Sequence, residues 1–126
     1  MPSLATYDPQ YRLISIEILG RLDNSMVAKI ASETARLAIE NNCYLVLNDA
    51  REATFSLSTT EIYNLPGLIM GIFEDTGISV YKFKRALVFA SGIDDVTFFE
   101  TVSKNRGHNV TLFRNIDEAR KWLLEK

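Results

Sequence analysis

Cysteine and histidine are nearly missing from this sequence, and their scarcity closes several routes at once. Cys43 is the single cysteine, so no internal disulfide can form, which is compatible with a reducing compartment. His108 is the single histidine. A metal site or a Ser-His-Asp set would be built around it, and nothing in the sequence places it near Ser58 or Asp49. Charge of one sign is also lacking: 14 basic and 16 acidic side chains leave a net charge of −2. A nucleic-acid partner calls for a basic excess, so none is expected. No apolar run approaches the ~20 residues of a membrane span. The longest, Leu65 to Phe73, is broken by Pro66, Gly67 and Gly71. Those glycines lie inside an apolar helix rather than between a strand and a helix, so they form no phosphate loop. Met1-Pro2-Ser3-Leu4 has no positive run followed by an apolar core. No signal peptide is therefore expected, and the chain reads as cytoplasmic.

What is present is an ordinary globular composition. With 126 residues, 47% hydrophobic and 24% charged, residues 1–126 read as a single domain large enough to bury a core without staples. Leu4 to Tyr7 reads as an edge strand, turned at Asp8-Pro9-Gln10 into a second strand, Tyr11 to Leu19. There Ile14, Ile16 and Ile18 alternate against Leu13, Ser15 and Glu17. Gly20 closes that strand. Asp23 caps a helix whose apolar face runs through Met26, Val27, Ile30, Ala31, Thr34, Leu37 and Ala38 and ends near Asn41-Asn42.

Cys43 to Leu47 and Ala86 to Ala90 are continuous apolar runs, suited to strands covered on both faces. Asn48 to Leu57 is polar and reads as a loop. Ser58-Thr59-Thr60-Glu61 is a capping box opening a helix through Ile62, Leu65, Ile69 and Phe73, which Pro66 should kink or restart. Asp75 to Phe83 is a connection. Asp94 caps a third helix, carrying Val96, Phe99 and Val102 and ended by Gly107. Val110 to Phe113 is a short strand, and Asn115 caps a last helix with Ile116, Ala119, Trp122 and Leu123 on one face. The order β-β-α-β-α-β-α-β-α implies an α/β fold: a mostly parallel central sheet with an antiparallel edge hairpin, flanked by helices.

Three stretches carry a family resemblance: Leu45-Val46-Leu47-Asn48-Asp49-Ala50-Arg51, Lys84-Arg85-Ala86-Leu87-Val88-Phe89, and Phe113-Arg114-Asn115-Ile116-Asp117-Glu118-Ala119-Arg120-Lys121-Trp122-Leu123. With the element order, they make the chain resemble the STAS domains over nearly its whole length, and specifically the divergent SpoIIAA-like branch of small stand-alone bacterial proteins. The resemblance implies the fold of the anti-sigma-factor antagonists and a non-enzymatic regulatory role, with no cofactor. Antagonists of that family carry an Asp-Ser-Ser-Gly-like signature whose first serine is phosphorylated by a partner kinase. The matching stretch here is Phe55-Ser56-Leu57-Ser58-Thr59-Thr60. Ser58 takes the phosphorylated position, Leu57 stands where the aspartate would be, and Thr60 where the glycine would be. Ser56, Ser58 and Thr59 are accordingly the candidate phosphorylation or anion site, with plain capping by Ser58 as the alternative.

Asp49, Arg51 and Glu52 follow a central strand, at the sheet edge where α/β proteins usually bind ligands. They suggest a polar pocket shared with Ser56 and Ser58, or else a local ion pair. Asp94 and Asp95 could help hold a cation, although capping accounts for Asp94 without one. Tyr81-Lys82-Phe83-Lys84-Arg85 reads as the solvated approach to a strand, its cationic stems lying over neighbouring side chains. Leu65, Leu68, Ile69, Met70, Ile72 and Phe73 cover more than one stripe of their helix, so that helix is either enclosed or meets a partner, most simply a second copy of the chain. The leading expectation is therefore a protein-interaction module using residues 48–58 and the following helix. The other is a carrier or sensor of a small apolar or lipid-like ligand, held between the sheet and helix 62–73.

Overall fold

The computed structural model describes residues 3–125. Two strands open the chain, β1 (Ser3–Asp8) and β2 (Leu13–Leu22), paired antiparallel. The turn between them is held by Asp8, whose carboxylate accepts from the backbone N–H of Gln10 at 2.9 Å and of Tyr11 at 3.3 Å. There follow α1 (Asn24–Asn41), β3 (Leu45–Phe55), α2 (Thr59–Asp75), β4 (Lys84–Phe89), α3 (Ile93–Asn105), β5 (Asn109–Phe113) and α4 (Ile116–Leu124). A single 3₁₀ turn, Val80–Lys82, precedes β4.

The five strands lie in the order β1-β2-β3-β4-β5, with every pair after the first parallel. Successive crossovers that advance in one direction with one hand place their helices on one face. Accordingly α1 packs on α2 and α2 on α3, while α4 alone crosses the other face over β3, β4 and β5. The apolar pattern follows these two faces. Ile14, Ile16, Ile18, Val46, Leu87, Phe89 and Val110 are buried against α1, α2 and α3. Leu13, Leu47, Ala86 and Val88 are buried with Ala119 and Leu123 of α4. The two apolar runs are thus central strands coated on both sides, as their composition requires.

The caps agree with the local chemistry. Asp23 accepts from the Met26 N–H, Ser58 and Glu61 form the reciprocal capping box, and Asn115 accepts from the N–H groups of Asp117 and Glu118. Helix α1 ends in a left-handed Asn42 and α3 in Arg106 followed by Gly107 at φ +82°.

Four expectations need correction. Residues 48–55 are not loop but the greater part of β3, an 11-residue strand. Their polar side chains obscure it, because beyond Ala50 the strand pairs with β2 alone and one face stays in solvent. Gly20 does not end β2, which runs on to Leu22 with Gly20 at φ +78° inside it. Asp94 does not cap α3: Gly92 holds that position without any side-chain bond, leaving Asp94 and Asp95 in the first turn. Pro66 does not restart the helix, the second of the two outcomes expected of it: α2 runs through it as one 17-residue helix. Proline there forfeits the N–H directed at the carbonyl of Ile62, and its ring crowds that carbonyl, without ending the helix.

Because a Cβ at Gly20 would meet nothing within 4 Å, substitution there tests the backbone alone. Gly20→Ala is expected to lower stability by about 1–2 kcal/mol, read by urea denaturation, purely from its left-handed conformation.

Candidate functional site

The β2–β3 pairing contains an irregularity that decides where the candidate polar residues point. Glu17 pairs with Asp49 and Leu19 with Glu52, so β3 carries one extra residue there. This β-bulge shifts the phase of the strand. Before it, Val46, Asn48 and Ala50 face α1–α3; after it, Ala53 and Phe55 do.

Asp49 and Arg51 fall on the opposite face, towards α4. Arg51 donates two bonds to Asp49, Nε to Oδ1 at 2.9 Å and Nη2 to Oδ2 at 2.8 Å. The paired guanidinium holds the Asp49 carboxyl below its usual range, outweighing the opposing effect of partial burial. Together with Glu17, Leu19 and Glu52 they line a shallow concavity. No serine lines it, so Ser56 and Ser58 do not share a pocket with Asp49. The monotonic strand order explains why: it has no reversal, and hence none of the crevice that a reversal opens at a sheet edge.

Ser56 is fixed to the end of β2. Its N–H donates to the Leu22 carbonyl at 3.0 Å and its hydroxyl accepts from Arg21 Nε at 2.9 Å. Ser58 and Thr59 are exposed at the start of α2. The Ser58 hydroxyl accepts from the Glu61 N–H at 3.2 Å, and Glu61 Oε1 accepts from the Ser58 N–H at 2.8 Å. Glu61 Oε2 also accepts from Asn24 Nδ2 at 3.0 Å, tying the starts of α1 and α2 together.

Farther along α2, Leu65, Ile69 and Phe73 are buried, Ile72 is partly buried, and Leu68 is exposed along with Tyr63. The helix is therefore enclosed on one side rather than apolar all round. Arg106, at the end of α3, lies over Tyr63, 5.7 Å from the ring, and its Nη1 would be 3.1 Å from a Cβ at Gly67. Beneath the helix is an apolar cavity of about 70 Å³ between the sheet, α1 and α2. Leu65, Ile69 and Phe73 line it, with Val27 of α1 and Phe89 of β4 opposite.

One residue of this region was read otherwise from the sequence. Arg85 does not lie at a solvated approach: it is 7% exposed and lines the cavity. Lys82 and Lys84 do spread over aromatic rings, Lys82 over Tyr44 and Lys84 over Trp122. The signal for Arg85 lay in the period of β4, where Arg85, Leu87 and Phe89 share a face. His108 is likewise 2% exposed, edge-on to Tyr81 with ring centroids 5.6 Å apart. Burial, reinforced by the cations of Arg85 and Arg106, lowers its pKa to about 4. Asp94 and Asp95 are both exposed. Among the described residues no group of three or more His, Cys, Asp or Glu stands ready to hold a metal, and no helix is long and apolar enough to cross a membrane.

An open α/β sandwich with an antiparallel leading hairpin and a strand order matching chain order has the architecture of the STAS domains. The structure of the anti-sigma factor antagonist SpoIIAA in its unphosphorylated form is similar over 96% of both chains, with a TM-score of 0.54 and 13% sequence identity. At that identity the likeness speaks for the fold, and the chain has the SpoIIAA fold. No protein-family model and no curated protein matches the sequence.

The depressed His108 pKa gives stability a defined pH dependence. An unfolded histidine titrates near ~6.5, so between that value and about 4 the unfolded chain binds more protons than the folded one. Stability should therefore fall as pH drops through that window. His108→Phe should flatten the slope of urea midpoint against pH there, leaving the separate loss from Asp49, which sets in below about pH 4.

Proposed function

We infer that the chain is a non-enzymatic regulatory module of STAS type that binds a protein partner through the outer edge of β3 and the exposed side of α2. The observation that carries this reading is Ser58. Its hydroxyl is exposed at the N-terminus of a 17-residue helix and belongs to a bond network that reaches α1 through Glu61 and Asn24. The solved structure of like fold is described as the unphosphorylated form of an anti-sigma factor antagonist. A phosphate on Ser58 would gain from the helix dipole and the free N–H groups of the first turn. It would also bring about two negative charges close to the Glu61 carboxylate, which accepts from the N–H of Ser58 itself. Phosphorylation at Ser58 would therefore repel Glu61 and weaken its tie to Asn24. Tyr63 and Leu68, exposed beside this start, offer apolar contact for a partner, and a second copy of the chain is the simplest such partner. Asp49, Arg51 and Glu52 lie on the other face and add a charged rim rather than a reaction centre.

A second reading is favoured by a different observation, the apolar cavity under α2. It makes the chain a carrier or sensor of a small apolar ligand.

Native mass spectrometry of the protein purified from its own host tests the first reading, since it reports phosphate, partner and ligand together. A partner mass that is lost in Leu68→Glu and Tyr63→Glu but kept in the α4 variant Glu118→Lys is expected. Loss in the α4 variant alone moves the interface to the other face and removes this assignment. Ser58→Ala should cost about 0.5–2 kcal/mol as a lost cap. Ser58→Asp, an equally good cap, should leave stability nearly unchanged while altering partner affinity. Equal partner binding by wild type and Ser58→Asp would show that Ser58 only caps.

A further inference from the structure

We propose that the cavity between the sheet, α1 and α2 binds a short-chain carboxylate. Its anion pairs with the guanidinium of Arg85 and its alkyl part lies among Val27, Leu65, Ile69 and Phe73. This rests on the ligand-carrier reading and gives it a chemical class.

Arg85 is the reason. It is 7% exposed, and its Nε and Nη2 atoms are buried with no acceptor among the described residues. None of the ion pairs includes it. Desolvation alone lowers its pKa, to about 10, so it stays protonated at neutral pH with no carboxylate opposite it. Apart from the Phe73 ring the guanidinium has no partner among the described residues, and a buried charge without an anion is costly in a way that a counter-ion relieves. Nε and Nη2 form the edge of the guanidinium that takes a carboxylate with two parallel bonds.

The remaining polar groups of the cavity are already engaged. Thr34 Oγ1 donates to the Ile30 carbonyl at 2.8 Å, and Asn48 Nδ2 donates to the Ala86 carbonyl at 3.2 Å. Arg85 is therefore the donor left over. Ser103 and His108, also buried with unpartnered polar atoms, carry no negative charge to offer it. Size sets the class of tail. The cavity of about 70 Å³ is under half of the ~150 Å³ that accommodates benzene. A tail of about three carbons, half the atoms of benzene, fits the cavity, the carboxylate needing further room beside Arg85, and a long acyl chain does not fit. Phe73, whose ring centroid lies 5.9 Å from the Arg85 guanidinium carbon, is the side chain that must give way as the anion enters.

The test is thermal unfolding with methyl NMR, titrating sodium butyrate, 1-butanol and sodium chloride at matched ionic strength into wild type and Arg85→Met. In wild type, butyrate should raise the midpoint, shift the Val27, Leu65 and Ile69 methyl signals, and bind at least about ten times more tightly than butanol. Arg85→Met should unfold at a higher temperature than wild type without ligand and bind butyrate no better than butanol. Butyrate and butanol binding wild type equally well would overturn the carboxylate proposal and leave the ligand-carrier reading standing. Binding of neither removes both. Chloride matching butyrate would overturn the role of the tail. The wild-type arms decide the matter even if Arg85→Met does not fold.

Discussion

Everything in this fold is referred to β3. From Val46 to Asp49 it pairs on both sides, with β2 and β4, and from Glu52 to Phe55 with β2 alone. The first half is a central strand, and its side chains divide between two cores. The second half is an arm shared with β2, whose inner side chains, Ala53 and Phe55, still reach the larger core. Phe55 meets Phe89 edge-on at 5.8 Å and Phe99 at 6.3 Å, so the arm is anchored rather than free. Its end delivers the chain directly to Ser58 and the start of α2. The position of the candidate regulatory serine thus depends on an extended pairing and not on a loop.

The sequence disclosed the parts of this arrangement whose chemistry repeats. Val46-Leu47 and Ala86-Leu87-Val88-Phe89 are apolar without interruption because both faces are covered, and that pattern has few readings. Caps at Asp23, Ser58 and Asn115 were legible because each short polar side chain precedes an apolar helical face. The arm was not legible. Asn48, Asp49, Arg51, Glu52 and Thr54 resemble a loop in composition, and the bulge breaks the alternation that would otherwise mark a strand. The site suffered for the same reason. Asp49 and Ser58 are nine residues apart in the chain, but Asp49 points towards α4 from β3 while Ser58 lies past the strand, at the start of α2 on the other side of the sheet.

Arg85 shows a different limit. A cation beside Lys82 and Lys84 looks like part of a wet basic patch. Alternation along β4 nevertheless assigns its side chain to the face of Leu87 and Phe89, and that face is dry. Composition and period disagree at this residue, and the structure follows the period. A sequence that keeps a charge where an apolar side chain of similar length would pack has given up stability. Positions that break a local rule without compensation are where function is most reasonably sought.

The two readings of the molecule meet on α2. Its first turn is tied to α1 by Glu61 and Asn24, and its next turns form one wall of the cavity whose facing wall includes Val27 and Thr34 of α1. Both features therefore act on the α1–α2 contact. A phosphate at Ser58 that drove Glu61 away from Asn24 would loosen that contact at one end. A ligand between the helices and the sheet alters its spacing farther along. If each favours a different separation of the two helices, linkage requires that each change the other's free energy by the same amount. A partner docked on the outer side of α2 would then sense the content of the cavity without touching it, through the position of a single helix.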